Sequence, residues 1–331
     1  MSTPPYSWPE ELFPADQVRT WLSVELGADT EGPIEVLYTK QWGTTALFGC
    51  ADGSTVVFKG SRHPAAAHGP VVHQFLAEVA PEAVPPVIAA RVEADTAWTV
   101  FEPLMGEPLE ARLSPVGFER LAATLASIQI RASERPIPAP VPRSPLDSLP
   151  HTLDRFQNAV TTHLAGWEAE GSGPNRASVE HTPELLAGLR LQVELVAERV
   201  AGSRWPDSID HVDLNVSNAV VEDGHLVIFD WEEAVVGFPP CSLDRLLDDA
   251  REFDGWETGF SPTCEAVIEA YAAAVPWGTP DTRRRLIEEG LRLNRIAFAG
   301  QALDFWQARG HPFGHPKLMA VCVDRILEAW T

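Results

Sequence analysis

Two short apolar runs, Ala219-Val220-Val221 and Leu226-Val227-Ile228-Phe229, flank the polar segment Glu222-Asp223-Gly224-His225. An Asp-Gly pair between β-prone runs is a strong hairpin signal, because the turn needs positive φ angles that these two residues tolerate. A hairpin here folds the chain that precedes its first strand back beside the end of its second. The preceding chain reads Ile209-Asp210-His211-Val212-Asp213-Leu214-Asn215-Val216-Ser217-Asn218, and the second strand runs out at Phe229-Asp230. The spacing therefore predicts that Asp213, Asn218 and Asp230 converge.

Two carboxylates and an amide at one place suit phosphoryl transfer. That reaction asks little covalent chemistry of a protein; it needs magnesium to neutralise phosphate charge and a carboxylate to orient an acceptor hydroxyl and take its proton. Asn218 offers a neutral, hard oxygen and Asp230 one or both carboxylate oxygens to Mg2+. Asp213, five residues before Asn218, is left for the acceptor. His211 is expected to pack and hydrogen-bond so that it holds the loop, with proton transfer as the alternative role.

The remainder of the chain separates by periodicity. Ile34 to Thr39 and Ala46 to Cys50 read as strands, and Asp52-Gly53 turns the chain into Thr55-Val56-Val57-Phe58-Lys59. Between the first two strands, Lys40-Gln41-Trp42-Gly43-Thr44-Thr45 reads as a tight loop, with Gly43 and Thr44 placed to cover phosphates. A helix around Val71 to Val79 and strands near Val87 to Val92 and Trp98 to Phe101 complete a small antiparallel sheet. Phe101-Glu102-Pro103-Leu104-Met105-Gly106 then breaks the pattern, which puts a domain boundary at residues 102 and 103. Beyond it the spacing is helical: Leu121, Leu125 and Ile128 share a face, as do Leu185, Leu189, Val193, Val196 and Val200, and Leu286, Gly290, Leu293 and Ala297. Thr279-Pro280-Asp281 is a helix start. The Pro-rich stretch from Pro136 to Pro150 and the polar stretch from Glu168 to Ser178 read as connections. The fold class expected is α+β and two-lobed.

Charge narrows the partners. Twenty-five basic against forty-seven acidic side chains give a formal charge of −22, which repels nucleic acid and anionic membranes. A cationic small-molecule substrate fits, and so does a surface kept acidic for solubility; charge alone leaves both open. An acidic stretch after the hairpin, Asp244, Asp248, Asp249, Glu252, Asp254 and Glu257, interleaved with Phe253 and Trp256, offers carboxylates to an amine, with a solvated helix face as the plainer reading. Phe305, Trp306 and Trp330 either line an acceptor pocket or fill the core. No run approaches a membrane span and the first residues lack the order of a signal peptide, so a cytoplasmic protein is expected, as a monomer or homodimer. Cys50, Cys241, Cys264 and Cys322 are scattered and expected to be buried free thiols. His311 and His315 are separated by Pro312 and Gly314, which argues against a helical metal pair.

His211-x-Asp213-x-x-x-x-Asn218 followed by Asp230-Trp231-Glu232 resembles the signature of the aminoglycoside phosphotransferase family, relatives of choline kinases and protein kinases. The resemblance spans roughly Ile34 to Trp330. It implies a protein-kinase-like fold, with a nucleotide-binding lobe in residues 1–102 and a helical lobe in 103–331 carrying the catalytic loop, metal site and acceptor pocket. It implies ATP or GTP as co-substrate with Mg2+, Asp213 as catalytic base, and Asn218 and Asp230 as metal ligands. Lys59 resembles the lysine that pairs with the α- and β-phosphates, and Phe101, Glu102 and Leu104 the linker whose backbone reads the base. Ser242-Leu243-Asp244 resembles the helix start after the metal strand. The helix glutamate that should pair with Lys59 is missing: Gly69 or His68 aligns there, and Glu78 lies more than two turns further along. The acceptor implied is a small-molecule hydroxyl on an amine-bearing antibiotic such as an aminoglycoside, or on an amino sugar. The missing glutamate keeps an alternative open, a nucleotide-binding sensor or scaffold with little transferase activity. A protein hydroxyl is less favoured, since no activation segment follows Glu232.

Overall fold

The computed structural model describes residues 6–63, 67–93, 96–144, 146–170, 181–255, 261–307 and 316–330, with backbone alone for 164–170. His311, His315, Trp256, Glu257 and the stretch 171–178 lie outside these residues. The chain divides into two compact units, Met1–Pro142 with Asn215–Ala234, and Arg143–Leu214 with Val235–Thr331.

The first unit is built on a five-stranded antiparallel sheet. Helix α1 (Ala15–Leu26) precedes strands β1 (Ile34–Lys40), β2 (Gly43–Gly49) and β3 (Thr55–Ser61); helix α2 (Gly69–Val79) leads into β4 (Val87–Glu93) and β5 (Thr96–Phe101). The strand order is β1-β2-β3-β5-β4. Alternation along β3 decides what each face is for. Val56 and Phe58 turn into a core with Phe13, Val18, Trp21, Leu22, Phe48, Trp98 and Val100, so that α1 closes this face of the sheet. Phe58 is its centre: the rings of Trp8, Phe13, Trp21, Phe48 and Trp98 all lie within 6.5 Å of it, mostly edge-on. Lys59, one residue on, points to the opposite face, where α2 packs.

The chain then passes through a short strand β6 (Glu107–Pro108) into helix α3 (Pro115–Ser133). Ser114 caps α3, its Oγ accepting from the Gly117 N–H at 3.2 Å, with Pro115 in the first turn. Leu121, Leu125 and Ile128 are fully buried on one face of it, as their spacing required. The strands β8 (Ala219–Glu222) and β9 (His225–Ile228) return to this unit and pair beside β6.

The second unit is mainly helical. It contains α4 (Leu149–Glu170), α5 (Thr182–Gly202), the short antiparallel pair β7 (Ser208–Asp210) and β10 (Val235–Gly237), and helices α6 (Leu243–Asp254), α7 (Pro262–Ala274), α8 (Pro280–Gln307) and α9 (Pro316–Trp330). An antiparallel sheet followed by helices is the α+β class expected. Residues 168–170 extend α4 rather than opening the polar connection. On α5 the buried stripe is Leu186, Leu189, Val193, Val196 and Val200, while Leu185 is 40% exposed. Spacings of three and four starting at Leu186 track the helical period better than two successive fours. On α8, Leu286, Ile287, Leu293, Ile296 and Leu303 are buried, and Ala297 is only half-buried. Trp330 is core, its Nε1 donating to the Arg292 carbonyl at 3.1 Å, and Phe305 and Trp306 are half-buried. Cys50, Cys241, Cys264 and Cys322 are all buried free thiols. Among the described residues no helix is long and apolar enough to cross a membrane.

Gly290 marks a close approach in this helical packing. A Cβ there would stand 2.5 and 2.6 Å from Cε1 and Cδ1 of Phe238, whose ring packs on Trp205, itself against Trp277. Gly290→Ala gains about 1 kcal/mol of helix propensity but forces this aromatic row apart, an overpacking cost of about 1–3 kcal/mol. The balance is a net destabilisation of up to about 2 kcal/mol, read as a lower thermal midpoint; a midpoint above wild type would show that the row relaxes freely.

Candidate functional site

The first unit brings together a lysine, two carboxylates and an amide. In the β8–β9 hairpin Ala219 pairs with Ile228 and Glu222 with His225, so Asp223 and Gly224 form the turn, both at positive φ. One step beyond the ladder the Phe229 N–H donates to the Asn218 carbonyl at 3.0 Å, which ties the residue before Asp230 to Asn218. Asn218 closes a 3-10 turn, Val216–Asn218, whose start is capped by Asn215, its side chain accepting from the Ser217 N–H at 3.0 Å. Asp230 has φ +70, a left-handed turn that ends the strand and starts a second 3-10 turn, Trp231–Glu233. Trp231 is fully buried and its Nε1 donates to the Ile228 carbonyl at 2.9 Å. With the indole anchored inward, the residues on either side of it both reach Lys59. The Lys59 ammonium donates to the Asp230 carboxylate and stands 2.7 Å from Glu232 Oε2.

Burial disfavours the charged form of Lys59, but Asp230 and then Glu232 outweigh it and hold its pKa well above the ordinary lysine value. Burial pushes Glu232 upward, with Asp230 adding to the shift and Lys59 opposing it.

Gly43 and Thr44 are not in a loop. They are the first residues of β2, and Thr44 is 3% exposed with its hydroxyl donating to the Tyr38 carbonyl at 3.1 Å. The turn has shrunk to Gln41 and Trp42 because Lys40 already pairs with Gly43 and Thr39 with Thr44. Phe101 ends β5, buried and edge-on to the His73 ring at 4.9 Å. The Glu102 N–H is committed to the Pro86 carbonyl at 3.1 Å, and Leu104 is half-buried.

The second unit, taken by itself, carries the loop from Asp210 to Asp213. Strand β7 ends on Asp210, opposite Val235 of β10. Asp210 Oδ1 accepts from the Val212 N–H at 3.0 Å and from the Ser242 hydroxyl at 2.8 Å, and Ser242 Oγ in turn accepts from the His211 N–H at 2.9 Å. Val212 lies at φ +67, a conformation that costs a β-branched residue about 1 kcal/mol or more and persists only where its surroundings hold it. The Asp210–Ser242 pair is that hold. His211 is fully buried and Asp213 is half-exposed, with Arg245 Nε 3.3 Å from its Oδ1. Asp210, Ser242, Arg245 and Glu232 were not expected to take part in the site. Three of them, Asp210, Glu232 and Ser242, sit inside quoted segments, yet nothing in the spacing marks an acid as buried or a serine as a bridge.

The acidic stretch of α6 is not an open carboxylate surface. Asp244 is buried against Arg295 at 2.9 Å, Arg325 at 3.2 Å and Asn294 at 3.2 Å. Asp248 pairs with Arg325 at 2.6 Å and with Arg251 at 3.1 Å. Asp254 accepts from Ser261 and Thr263 at the start of α7. Arginines from α8 and α9 reach these acids, a partnership between distant segments that local spacing does not reveal. Among the described residues no group of three or more His, Cys, Asp or Glu side chains forms a closed metal cage.

A kinase-like phosphotransferase fold accounts for this arrangement, and solved structures share it. The chain superimposes on the GDP complex of wild-type aminoglycoside 2'-phosphotransferase-IIIa with a TM-score of 0.57 at 15% identity, over 96% of this chain and 98% of that one. For macrolide 2'-phosphotransferase MphH from Brachybacterium faecium the TM-score is 0.53 at 20% identity, covering 93% and 98%. For a choline/ethanolamine kinase family protein from Mesorhizobium loti it is 0.57 at 14% identity, covering 95% and 92%. No curated protein sequence matches the chain. The family model described as the APH phosphotransferase enzyme family matches residues 44–286. The chain belongs to that family, and is a small-molecule kinase.

Burial dominates the pKa of Asp210 and raises it from the ordinary 3.8 to about 6, against the pull of its bonds to Val212 and Ser242. An acid whose folded pKa lies above its unfolded one costs nothing below the unfolded value and its full penalty above the folded one. Stability should therefore fall by about 3 kcal/mol from this group as pH rises from 4 through 6. Asp210→Asn keeps an oxygen toward Val212 and Ser242 without the charge. Denaturation midpoints measured from pH 4 to pH 8 should show that the wild type loses this increment and the variant does not; parallel curves would refute the assignment.

Proposed function

We propose that this phosphotransferase uses ATP or GTP to phosphorylate a hydroxyl of an amine-bearing antibiotic such as an aminoglycoside, or of an amino sugar. The observation that carries the nucleotide half of this reading is the Lys59 ammonium held against Asp230, on the hairpin whose other end begins at Asn218. A fixed cation beside a carboxylate and an amide oxygen suits a bound triphosphate: Lys59 pairs with phosphate oxygens, and Asn218 and Asp230 have the hard oxygens that Mg2+ selects. Magnesium, when bound, neutralises charge on the phosphates.

Asp213 is the base in this reading. It stands half-exposed at the end of a strained, internally braced loop, where an acceptor hydroxyl can reach it, and Arg245 orients it. His211, fully buried, shapes the loop rather than carrying a proton. Phe101 to Leu104 is the segment that reads the base. The functional boundary lies at residues 102 and 103, with Lys59 before it and the catalytic loop, the metal ligands and the acceptor pocket after it.

The preference for an amine-bearing acceptor rests on the formal charge of −22, which concentrates cations near the surface, and on fold relatives that include an aminoglycoside phosphotransferase. The paired acids of α6 do not add to it. The lysine with two carboxylate partners weakens the sensor reading, since the cation expected to hold phosphates is itself held.

Labelled ATP and GTP, each offered with a panel of aminoglycosides, amino sugars and small amino alcohols, tests donor and acceptor together. Asp213→Ala should lower turnover by ~10²–10⁴ while nucleotide binding stays within about three-fold of wild type, since the base acts on the acceptor and not on the nucleotide. Turnover close to wild type would remove Asp213 from the mechanism. Nucleotide binding with no phosphorylated product would favour the sensor.

A further inference from the structure

We infer that Glu232 is the positioning residue of Lys59, supplying from the hairpin the carboxylate that this fold was expected to take from its helix; the inference rests on the nucleotide-binding role of Lys59 proposed above. The helix beside Lys59 is α2, and its residues Gly69, Pro70 and His73 line a gap of about 10 Å³ with Lys59, Ser61, Ala97, Thr99 and Glu232. None of the three carries an acid. The one acid on α2, Glu78, is exposed and lies five residues beyond His73, turned well away around the helix. Glu232 occupies the vacant role, with Oε2 2.7 Å from the Lys59 ammonium.

The start of α2 is shaped to admit it. A Cβ on Gly69 would lie 3.0 Å from Glu232 Cβ and 3.1 Å from its Cα, so a side chain at position 69 would press on the Glu232 backbone, and glycine lets the helix approach it closely. The adjoining residue locks the turn: His68 Nε2 lies 2.6 Å from the Ala234 carbonyl and donates to it. With Trp231 buried on the other side, the turn bearing Glu232 is held at both ends. The two carboxylates on Lys59 then have separate tasks. Asp230, 33% exposed, is open to sharing with a cation, whereas Glu232, 14% exposed and facing Lys59, is dedicated to the lysine.

A double-mutant cycle read by calorimetric nucleotide binding decides the matter without knowledge of the acceptor. ATP and GTP are titrated, in Mg2+, into the wild type, Glu232→Gln, Lys59→Met and the double variant. Glu232→Gln is expected to weaken binding by about 10- to 100-fold, the worth of a charge-assisted hydrogen bond, and to add less than about two-fold in the Lys59→Met background, since contacting residues couple. Equal losses in both backgrounds would mean that Glu232 acts independently of the lysine, and would overturn the inference; so would wild-type affinity in Glu232→Gln. If thermal melting shows that Glu232→Gln does not fold, Glu232→Asp in the same cycle is judged by the same criterion. A wild type that binds neither ATP nor GTP overturns the nucleotide reading and this inference together, whereas a wild type that binds with additive losses overturns this inference alone.

Discussion

A largely buried ammonium has to be paired, and the pairing of Lys59 with Asp230 and Glu232 organises the first unit. Strand alternation turns Lys59 away from the aromatic core around Phe58 and toward α2. The two carboxylates come from a hairpin more than 150 residues later in the chain, and they reach the lysine because Trp231, between them, is driven into the interior. Hydrophobic burial of one indole thus sets the direction of two charges. The left-handed backbone at Asp230 and the absent side chain at Gly69 are local costs and concessions that this geometry requires.

The loop of the second unit follows a similar logic with a different bond. Val212 adopts a backbone conformation that a β-branched residue avoids, and the loop keeps it because Asp210 and Ser242 satisfy the His211 and Val212 N–H groups from within. Burying Asp210 raises its pKa and costs stability at neutral pH. The bonds that Asp210 makes at this cost hold the strained backbone that leads to Asp213 in place.

Much of this was legible from residue order. The Asp-Gly turn at 223–224 determined the hairpin, alternation set the faces of β3, and the spacing of Leu121, Leu125 and Ile128 gave a buried helix face. Other features were not. The buried stripe of α5 begins at Leu186 and not Leu185, a one-residue rotation that apolar neighbours on both faces conceal from a periodicity argument. Thr44 looked available in a loop, but continued pairing drew it into a strand and committed its hydroxyl. The acids of α6 looked like a surface for cations until Arg295 and Arg325, far along the chain, proved to be their partners.

The sequence by itself determined the class of this protein: a phosphotransferase hairpin with an asparagine and an aspartate at set distances in the chain, because a two-residue turn leaves strand pairing little choice. Only the tertiary structure decided which carboxylates hold the lysine and which are spent on arginines. Those partnerships depend on chain segments meeting from far apart, and on which charges are withdrawn from water when they meet, neither of which local spacing encodes.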